Sequence, residues 1–299
     1  MRGLQTLWEG FRVAWDTVSA NRVRSGLTVL GVAVGVSVVM AIAALISGIR
    51  SSIVEGFEAA GPRNFSVVRI DFTAVTLGDD GPPPWAGRPE ITPEEAQAIA
   101  SLPAVSEALY NLSFGLILET EGRRVEGVTG VGYSAGWPRY SLGDFTAGRD
   151  FTPAEVRQSR AVVVLSANLA EEAFGQRDPV GRRVGLETPY RAGQQEFTVI
   201  GVFRPQQSVF GGALRNWAVV PYSSALKRLK APDFQAGVAV VPEDSVSMGE
   251  AEDQVVGLLR GLRGLGPREE NDFSLLESAQ ILELFDRLTG IFFLVMLAL

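Results

Sequence analysis

From Ser25 to Ile49 the chain reads SGLTVLGVAVGVSVVMAIAALISGI, 25 residues without a charge. As a helix this run is about 37 Å long, at about 1.5 Å per residue, and a bilayer core is roughly 30 Å thick. The pattern predicts a transmembrane helix over 25–49, and Ile49, Ile53 and Phe57 extend its apolar spacing outward. Ahead of it, Leu4, Leu7, Trp8, Phe11, Trp15 and Val18 share one helical face, and Gln5, Glu9, Arg12 and Asp16 share the other. That predicts an amphipathic helix within residues 1–24, lying in the membrane interface. A soluble helix packed on a partner has the same stripe. At the far end, Leu288–Leu299 is 12 uncharged residues, too few to span a bilayer. The expectation is the start of a second transmembrane helix; a short hydrophobic tail is the alternative. Leu275, Ala279, Leu282, Phe285 and Leu288 fall at helical spacing and predict a stalk helix over about 275–287 that runs into it.

Between these segments the periodicity changes. Asn64–Ile70 reads as a strand, and LGDDGPPPWAGRPE as a loop. Thr92-Pro93-Glu94-Glu95 combines an N-cap, a proline at N1 and a glutamate at N3, opening a helix to about Leu102. Phe114–Thr120 and Arg123–Val128 follow as strands around a Glu121-Gly122 turn. Near the end, Phe234–Val241 reads as a strand, Ser247-Met248-Gly249-Glu250 opens a helix to about Leu265, and Phe273–Leu276 reads as a short strand. Strand–helix–strand therefore occurs twice. The stretch between is richer in strands: Ala161–Leu165, Arg183–Leu186, Glu196–Phe203 and Trp217–Val220, with one short helix, Ala167–Phe174, ending at Gly175. The fold class predicted is an α+β domain over 50–287 on transmembrane α-helices. Two βαβ units, about 60–144 and 226–277, share a sheet, and a β-rich subdomain, about 145–225, is inserted between them.

Charge orients this arrangement. Residues 1–49 carry four arginines against two acids, a net of +2, while the remaining 250 carry −9. Arg22 and Arg24 immediately precede the apolar run, so the positive-inside rule places the N-terminus in the cytoplasm and residues 50–287 outside. Ala41-Ile42-Ala43 resembles a signal-peptide cleavage site, but the apolar run continues through Ile49 and its leader would hold two tryptophans. Cysteine and histidine are absent and the only lysines are Lys227 and Lys230. Those absences remove thiol nucleophiles, disulfides, zinc sites with Cys or His ligands and any triad with a histidine base. A net charge of −7 also argues against nucleic acid as a partner.

Few motifs point to chemistry. Gly132-Tyr133-Ser134-Ala135-Gly136 fits the G-x-S-x-G elbow of hydrolases, but the usual base is missing and Trp137-Pro138 stands where a helix should begin. Gly130-x-Gly132-x-x-Ala135 fits the loose dinucleotide fingerprint and lacks the same helix. No G-x-x-x-x-G-K-[ST] loop exists, so the chain has no Walker-type ATP site. Asp79-Asp80-Gly81 reads as a turn in preference to a calcium loop. These readings give no catalytic residue, no metal ligand and no cofactor site. Gly31-x-x-x-Gly35 inside the span is spaced for close approach of another helix.

The motifs together resemble the MacB/FtsX-type ABC transporter permeases. Asn21-Arg22-Val23-Arg24-Ser25, Leu27–Gly31 and Gly35 are similar to that family's N-terminal signature. Arg160–Ser166, Leu169–Gly175, Asp178–Gly181, Phe197–Val202 and Val220-Pro221 resemble its extracytoplasmic core. The resemblance implies four membrane helices, with a large outer domain between the first two, of which this sequence is the N-terminal portion. It implies a separate ABC ATPase subunit that binds ATP, a second permease copy or paralogue, and contact with the bilayer and with a periplasmic adaptor or envelope protein. Stalk helices would carry ATP-driven motion outward, for efflux, lipoprotein release or control of cell-wall hydrolases. A membrane-anchored binding or scaffold protein without transport activity is the alternative.

Overall fold

The computed structural model describes residues 21–59, 64–70, 83, 85–141, 143–205, 216–277 and 290. The chain divides into two compact units, 1–51 and 52–299. Within the first, α1 (Arg22–Ala59) begins, and it is a helix of 38 residues. Its stretch Arg22–Ile42 has a mean hydropathy of 2.2 and is the one helix among the described residues long and apolar enough to cross a membrane. No side of it is covered: Val23, Leu27, Val29, Leu30 and Met40 are all exposed. A helix apolar all round and uncovered requires lipid or another helix around it. Thr28 Oγ1 donates to the Arg24 carbonyl at 3.0 Å, so its hydroxyl is satisfied within the helix. The apolar spacing of Ile49, Ile53 and Phe57 agrees with a helix that runs to Ala59. The amphipathic helix expected within 1–24 lies almost wholly outside the described residues.

The second unit runs β1 (Phe65–Val68), α2 (Pro93–Ala100), β2 (Val105–Thr120), β3 (Arg123–Tyr133), a 3-10 turn (Trp137–Tyr140), β4 (Gly143–Gly148), α3 (Pro153–Arg157), β5 (Val162–Ser166) and α4 (Ala167–Phe174). It continues through β6 (Arg183–Thr188), β7 (Arg191–Pro205), β8 (Trp217–Pro221), α5 (Tyr222–Lys227), β9 (Gly237–Pro242), α6 (Met248–Arg263) and β10 (Ser274–Glu277). The helix starts are written locally. Thr92 and Glu95 form a complete capping box on α2, and Thr152 and Glu155 form another on α3. Ser166 caps α4 and Ser247 caps α6 through the N3 amide.

The two strand–helix–strand units interleave. The strand order is β10-β1-β9-β2, each antiparallel to its neighbour. Parallel β1 and β2 therefore flank β9, and parallel β9 and β10 flank β1. Each unit is a split βαβ, and neither has a complete sheet without the other. Helix α2 packs on β2, β9 and α6. Ala251, Val255 and Leu259 recur every four residues along α6 and are fully buried, against a core with Phe65, Val67, Ile99, Val238 and Val240.

The inserted strands close on themselves. Pairing runs β2-β3-β8-β5-β7-β6 and back to β2, a six-stranded barrel, with β4 added outside on β7. Closure depends on two long strands. The first half of β2 pairs with β9; its second half pairs with β3, with a register shift between Leu116 and Leu118, and Ile117–Glu119 pair with β6. The insert thus begins inside β2 and takes in β3, not at residue 145, because β2 is long enough to belong to both sheets. The closed ring leaves its six strands without a free edge pair. Helix α4 touches β2, β3, β5 and β7, four of the six. The valine run of β5 is buried on both faces: Val163 and Leu165 join the main core, and Val164 joins a second cluster with Trp137, Phe151, Val156, Phe203 and Val219.

Candidate functional site

Strands β1 and β10 are the first and last strands of the second unit, called the outer unit below. Phe65, the first residue of β1, sits opposite Glu277, the last of β10, and Val68 sits opposite Ser274. The chain enters and leaves side by side, through hydrogen-bonded neighbours in one sheet. Leu275 corrects the expected stalk: it lies in β10, opposite Val67, so backbone pairing overrides the helical spacing there and the stripe cannot be helical before residue 278. Ala279, Leu282, Phe285 and Leu288 lie outside the described residues.

A buried charge cluster locks the same sheet. Arg263, in the last turn of α6, has a side chain only 7 % exposed. Its Nε and Nη2 donate to both Glu95 oxygens at 2.7 and 3.1 Å, its Nη1 donates to Asp272 Oδ1 at 2.9 Å, and Nη2 also reaches the Glu90 carbonyl at 3.3 Å. Glu95 belongs to the α2 capping box, and Asp272 lies two residues before β10. One guanidinium thus joins the two split units and the approach to β10, one cation shared between two carboxylates in a paired geometry. Arg88 adds a second tie, donating to the Arg69 carbonyl at 3.2 Å and to Ser274 Oγ at 3.0 Å. Burial, followed by the neighbouring Glu277, raises the Glu252 carboxyl above its ordinary range.

The glycines of the span, Gly31 and Gly35, face open space: a methyl group added at either meets nothing within 4 Å. The structure gives Ser134 a structural part. Its Oγ accepts from the Tyr110 N–H at 3.0 Å, and its own N–H donates to the Tyr110 carbonyl at 3.0 Å. One 3-10 turn follows it at Trp137–Tyr140, where the sequence suggested none. The fingerprint glycines serve packing: a Cβ at Gly130 would collide with the Phe114 ring, and one at Gly132 would lie 3.1 Å from Tyr222 Cα. Asp79, Asp80 and Gly81 lie outside the described residues. Among the described residues no group of three or more Asp or Glu is placed to hold a metal ion.

Two acids near the second cluster titrate in opposite senses. Asp150 accepts from Trp137 Nε1 at 2.9 Å, the Phe151 N–H at 2.8 Å and the Gly136 N–H at 3.1 Å, holding Trp137 against Tyr133, Phe203 and Trp217. Desolvation still outweighs those bonds and raises its pKa. Glu155 is lowered from 4.5 to about 2, chiefly by the Arg149 guanidinium, which binds both its oxygens at 2.9 Å. The stabilisation from Glu155 is present above pH 4.5 and is lost as pH falls from there towards 2. Glu155→Gln should flatten that acid limb and cost about 1 kcal/mol at neutral pH, since Arg149 is largely solvated. Denaturant melts at pH 7 and pH 3 check this; equal pH dependence in both proteins would contradict it.

The geometry defines an α+β unit of two interleaved split βαβ units and a closed six-stranded barrel, with its first and last strands paired and an apolar helix ahead of it in the chain. Residues 25–258 match the MacB-like periplasmic core domain, and the chain belongs to that family. It is 26 % identical over 287 residues to the macrolide export ATP-binding/permease protein MacB of Neisseria meningitidis serogroup A, covering 94 % of this chain and 41 % of that protein. It is 25 % identical over 288 residues to the pyoverdine export ATP-binding/permease protein PvdT of Pseudomonas syringae pv. syringae, with the same coverage. The chain thus spans about two fifths of the length of these relatives. In fold it is similar to the periplasmic region of MacB from Actinobacillus actinomycetemcomitans, with a TM-score of 0.61 and 21 % identity over 78 % of this chain and 97 % of that one. It is also similar to the extracellular domain of the noncanonic ABC-type transporter YknZ from Gram-positive bacteria, with a TM-score of 0.53 and 16 % identity, covering 72 % of this chain and 100 % of that one.

Proposed function

We propose that this chain is the N-terminal portion of an ABC transporter permease that carries ATP-driven motion from the cytoplasmic side of the membrane to its outer domain. The observation behind this reading is the β1–β10 pair: a displacement of α1 relative to the segment after residue 277 is applied across adjacent strands that share one hydrogen-bond ladder. Arg263 ties the approach to β10 to α2 and α6, and Arg88 ties β10 to the residue after β1, so the load spreads beyond one strand. In our reading an ABC ATPase, expected from the family resemblance as a separate subunit, binds the ATP; the named relatives combine ATP-binding and permease functions in one protein. A second permease copy or paralogue completes the membrane part, with Gly31 and Gly35 on the open face of α1 available for helix packing. The same reading places the bilayer around Arg22–Ile42 and an adaptor or envelope protein outside. Export is the function in the names of the relatives, and we extend it to this chain as efflux from the cell.

Orientation follows from Arg22 and Arg24 and is directly measurable. The sequence contains no cysteine, so single-cysteine variants report without background. Arg268→Cys, at an exposed position of the outer unit, should react with a membrane-impermeant maleimide in outer-membrane-permeabilised cells, and Gln5→Cys should react only after lysis. The reverse pattern would place the domain in the cytoplasm and end the permease reading.

A further inference from the structure

Eight cations of the second unit are neutralised by ion pairs. Arg69, Arg124, Arg139, Arg149, Arg177, Arg182, Arg183 and Arg263 all sit on carboxylates. Of the eleven other described cations of that unit, six are grouped by position. Arg157, Arg160, Arg191, Lys227, Arg228 and Lys230 are exposed and make no ion pair among the described residues. They include both lysines of the sequence.

These six lie on three segments that hydrogen bonds staple together. Arg228 Nε donates to the Ser159 carbonyl at 2.6 Å, and Ser224 Oγ donates to the Arg160 carbonyl at 2.7 Å, joining α5 to the turn before β5. Thr188 Oγ1 donates to the Leu229 carbonyl at 2.8 Å, and Arg191 donates to the Arg228 carbonyl, joining the β6–β7 hairpin to the same stretch. The guanidinium bonds end on carbonyl oxygens, so they fix the arginines in place without cancelling their charge. On the same segments, Glu155 is engaged with Arg149, Glu187 with Arg124 and Glu196 with Arg183. Asp233 is half-buried, and its charge contributes to raising the Tyr110 phenol. In a part of the chain with a net charge of −9, a preorganised cationic face remains. Lys230 is held at φ +53°, where a lysine is less favourable than glycine or asparagine.

We propose that this face is a docking surface for an acidic segment of another protein. Position argues against a lipid source. β9 starts at Gly237, opposite Val68 and Asn111, so Lys227–Lys230 lie towards the end of the sheet away from Phe65 and Glu277, where the chain joins its membrane-side segments. Composition argues for protein: Tyr190, beside Arg191, and Phe234, shortly after Lys230, are 46 % and 44 % exposed, and aromatic rings among arginines are enriched in protein interfaces. An open groove lined by Arg149, Gln158, Arg160 and Thr198, and by Glu155 on its Arg149 partner, adjoins the face and gives an extended segment a place to lie.

The test uses the full chain in zwitterionic nanodiscs, without ATP, so its outcome is independent of the transport reading. The probe is a short fluorescein-labelled peptide rich in glutamate and aspartate, with phosphatidylglycerol vesicles in a parallel arm. The wild type should bind the peptide, and binding should vanish at about 1 M salt, where screening acts over roughly 3 Å. Arg157→Glu/Lys227→Glu/Lys230→Glu alters side chains that hold nothing in the fold, and should weaken binding at least about tenfold. An unchanged unfolding midpoint confirms that this variant is folded. Arg204→Glu/Arg268→Glu, a charge reversal elsewhere, should leave binding nearly unchanged. Equal peptide binding by wild type and triple variant, no peptide binding by the wild type, or capture of the vesicles in place of the peptide would each overturn the proposal.

Discussion

Replacing Arg263 with methionine should destabilise the outer unit by about 3–5 kcal/mol, the range for removing one partner of a buried ion cluster. The guanidinium is 7 % exposed, and its loss leaves Glu95, 11 % exposed, and Asp272, 22 % exposed, as uncompensated carboxylates. For a unit of this size the melting temperature should fall by roughly 6–20 °C. Thermal unfolding of the full chain in detergent, followed by tryptophan fluorescence, measures it. The loss should be partly recovered in Arg263→Met/Glu95→Gln/Asp272→Asn, because most of the cost is the stranded charge and not the missing bonds. A shift below about 2 °C for the single variant would mean the cluster is not a lock. The effect should exceed that of Glu155→Gln severalfold, since Arg149 is exposed and Arg263 is not.

What was legible in the sequence is what local chemistry determines. Thr92-Pro93-Glu94-Glu95 opens α2 where it reads as a helix start, and α4 has its expected bounds because Ser166 caps it and Gly175 ends it. The same cap pattern at Thr152-Pro153-Ala154-Glu155 was equally visible, yet α3 is so short that apolar periodicity gives no second signal. Long-range pairing is a different matter. Val105–Asn111 contains Glu107 and alternates weakly, so its strand character comes from β9, which it meets across more than a hundred residues. Barrel closure depends on Leu118 meeting Leu186, which no local pattern encodes. Leu275 shows the same conflict from the other side. Its spacing to residues 279 and 282 is helical, but β1 offers a free edge and the pairing prevails. The Arg263 cluster was hidden for a simpler reason: an arginine in the last turn of a helix reads as a dipole partner, and nothing marks its bond to a glutamate 168 residues away.

The second large effect is expected in the segment that leaves β10. Apolar residues at 279, 282, 285 and 288 continue at helical spacing towards the terminal apolar run. If this stretch is a stalk, its stiffness carries the motion. Two glycines inserted after Glu283 weaken a helix by about 1 kcal/mol each relative to alanine. They also rotate the face beyond them by roughly 200°, at about 100° per residue, so a two-alanine insertion is the matched control. With the complete permease and its ATPase reconstituted, ATP hydrolysis should persist in both variants. Export should be lost with Gly-Gly and reduced less with Ala-Ala. Equal export in wild type and both insertions would make the segment an anchor.

Coupling itself is most directly measured as a distance. A spin label on Arg268→Cys, exposed on the outer unit, reports on the separation of two permease copies in the reconstituted complex. The account predicts that the distance distribution shifts between the nucleotide-free and the ATP-vanadate-trapped states, and that the shift disappears with the Gly-Gly insertion after Glu283. One distribution, unchanged by nucleotide in the wild type, would contradict an outer domain moved by ATP.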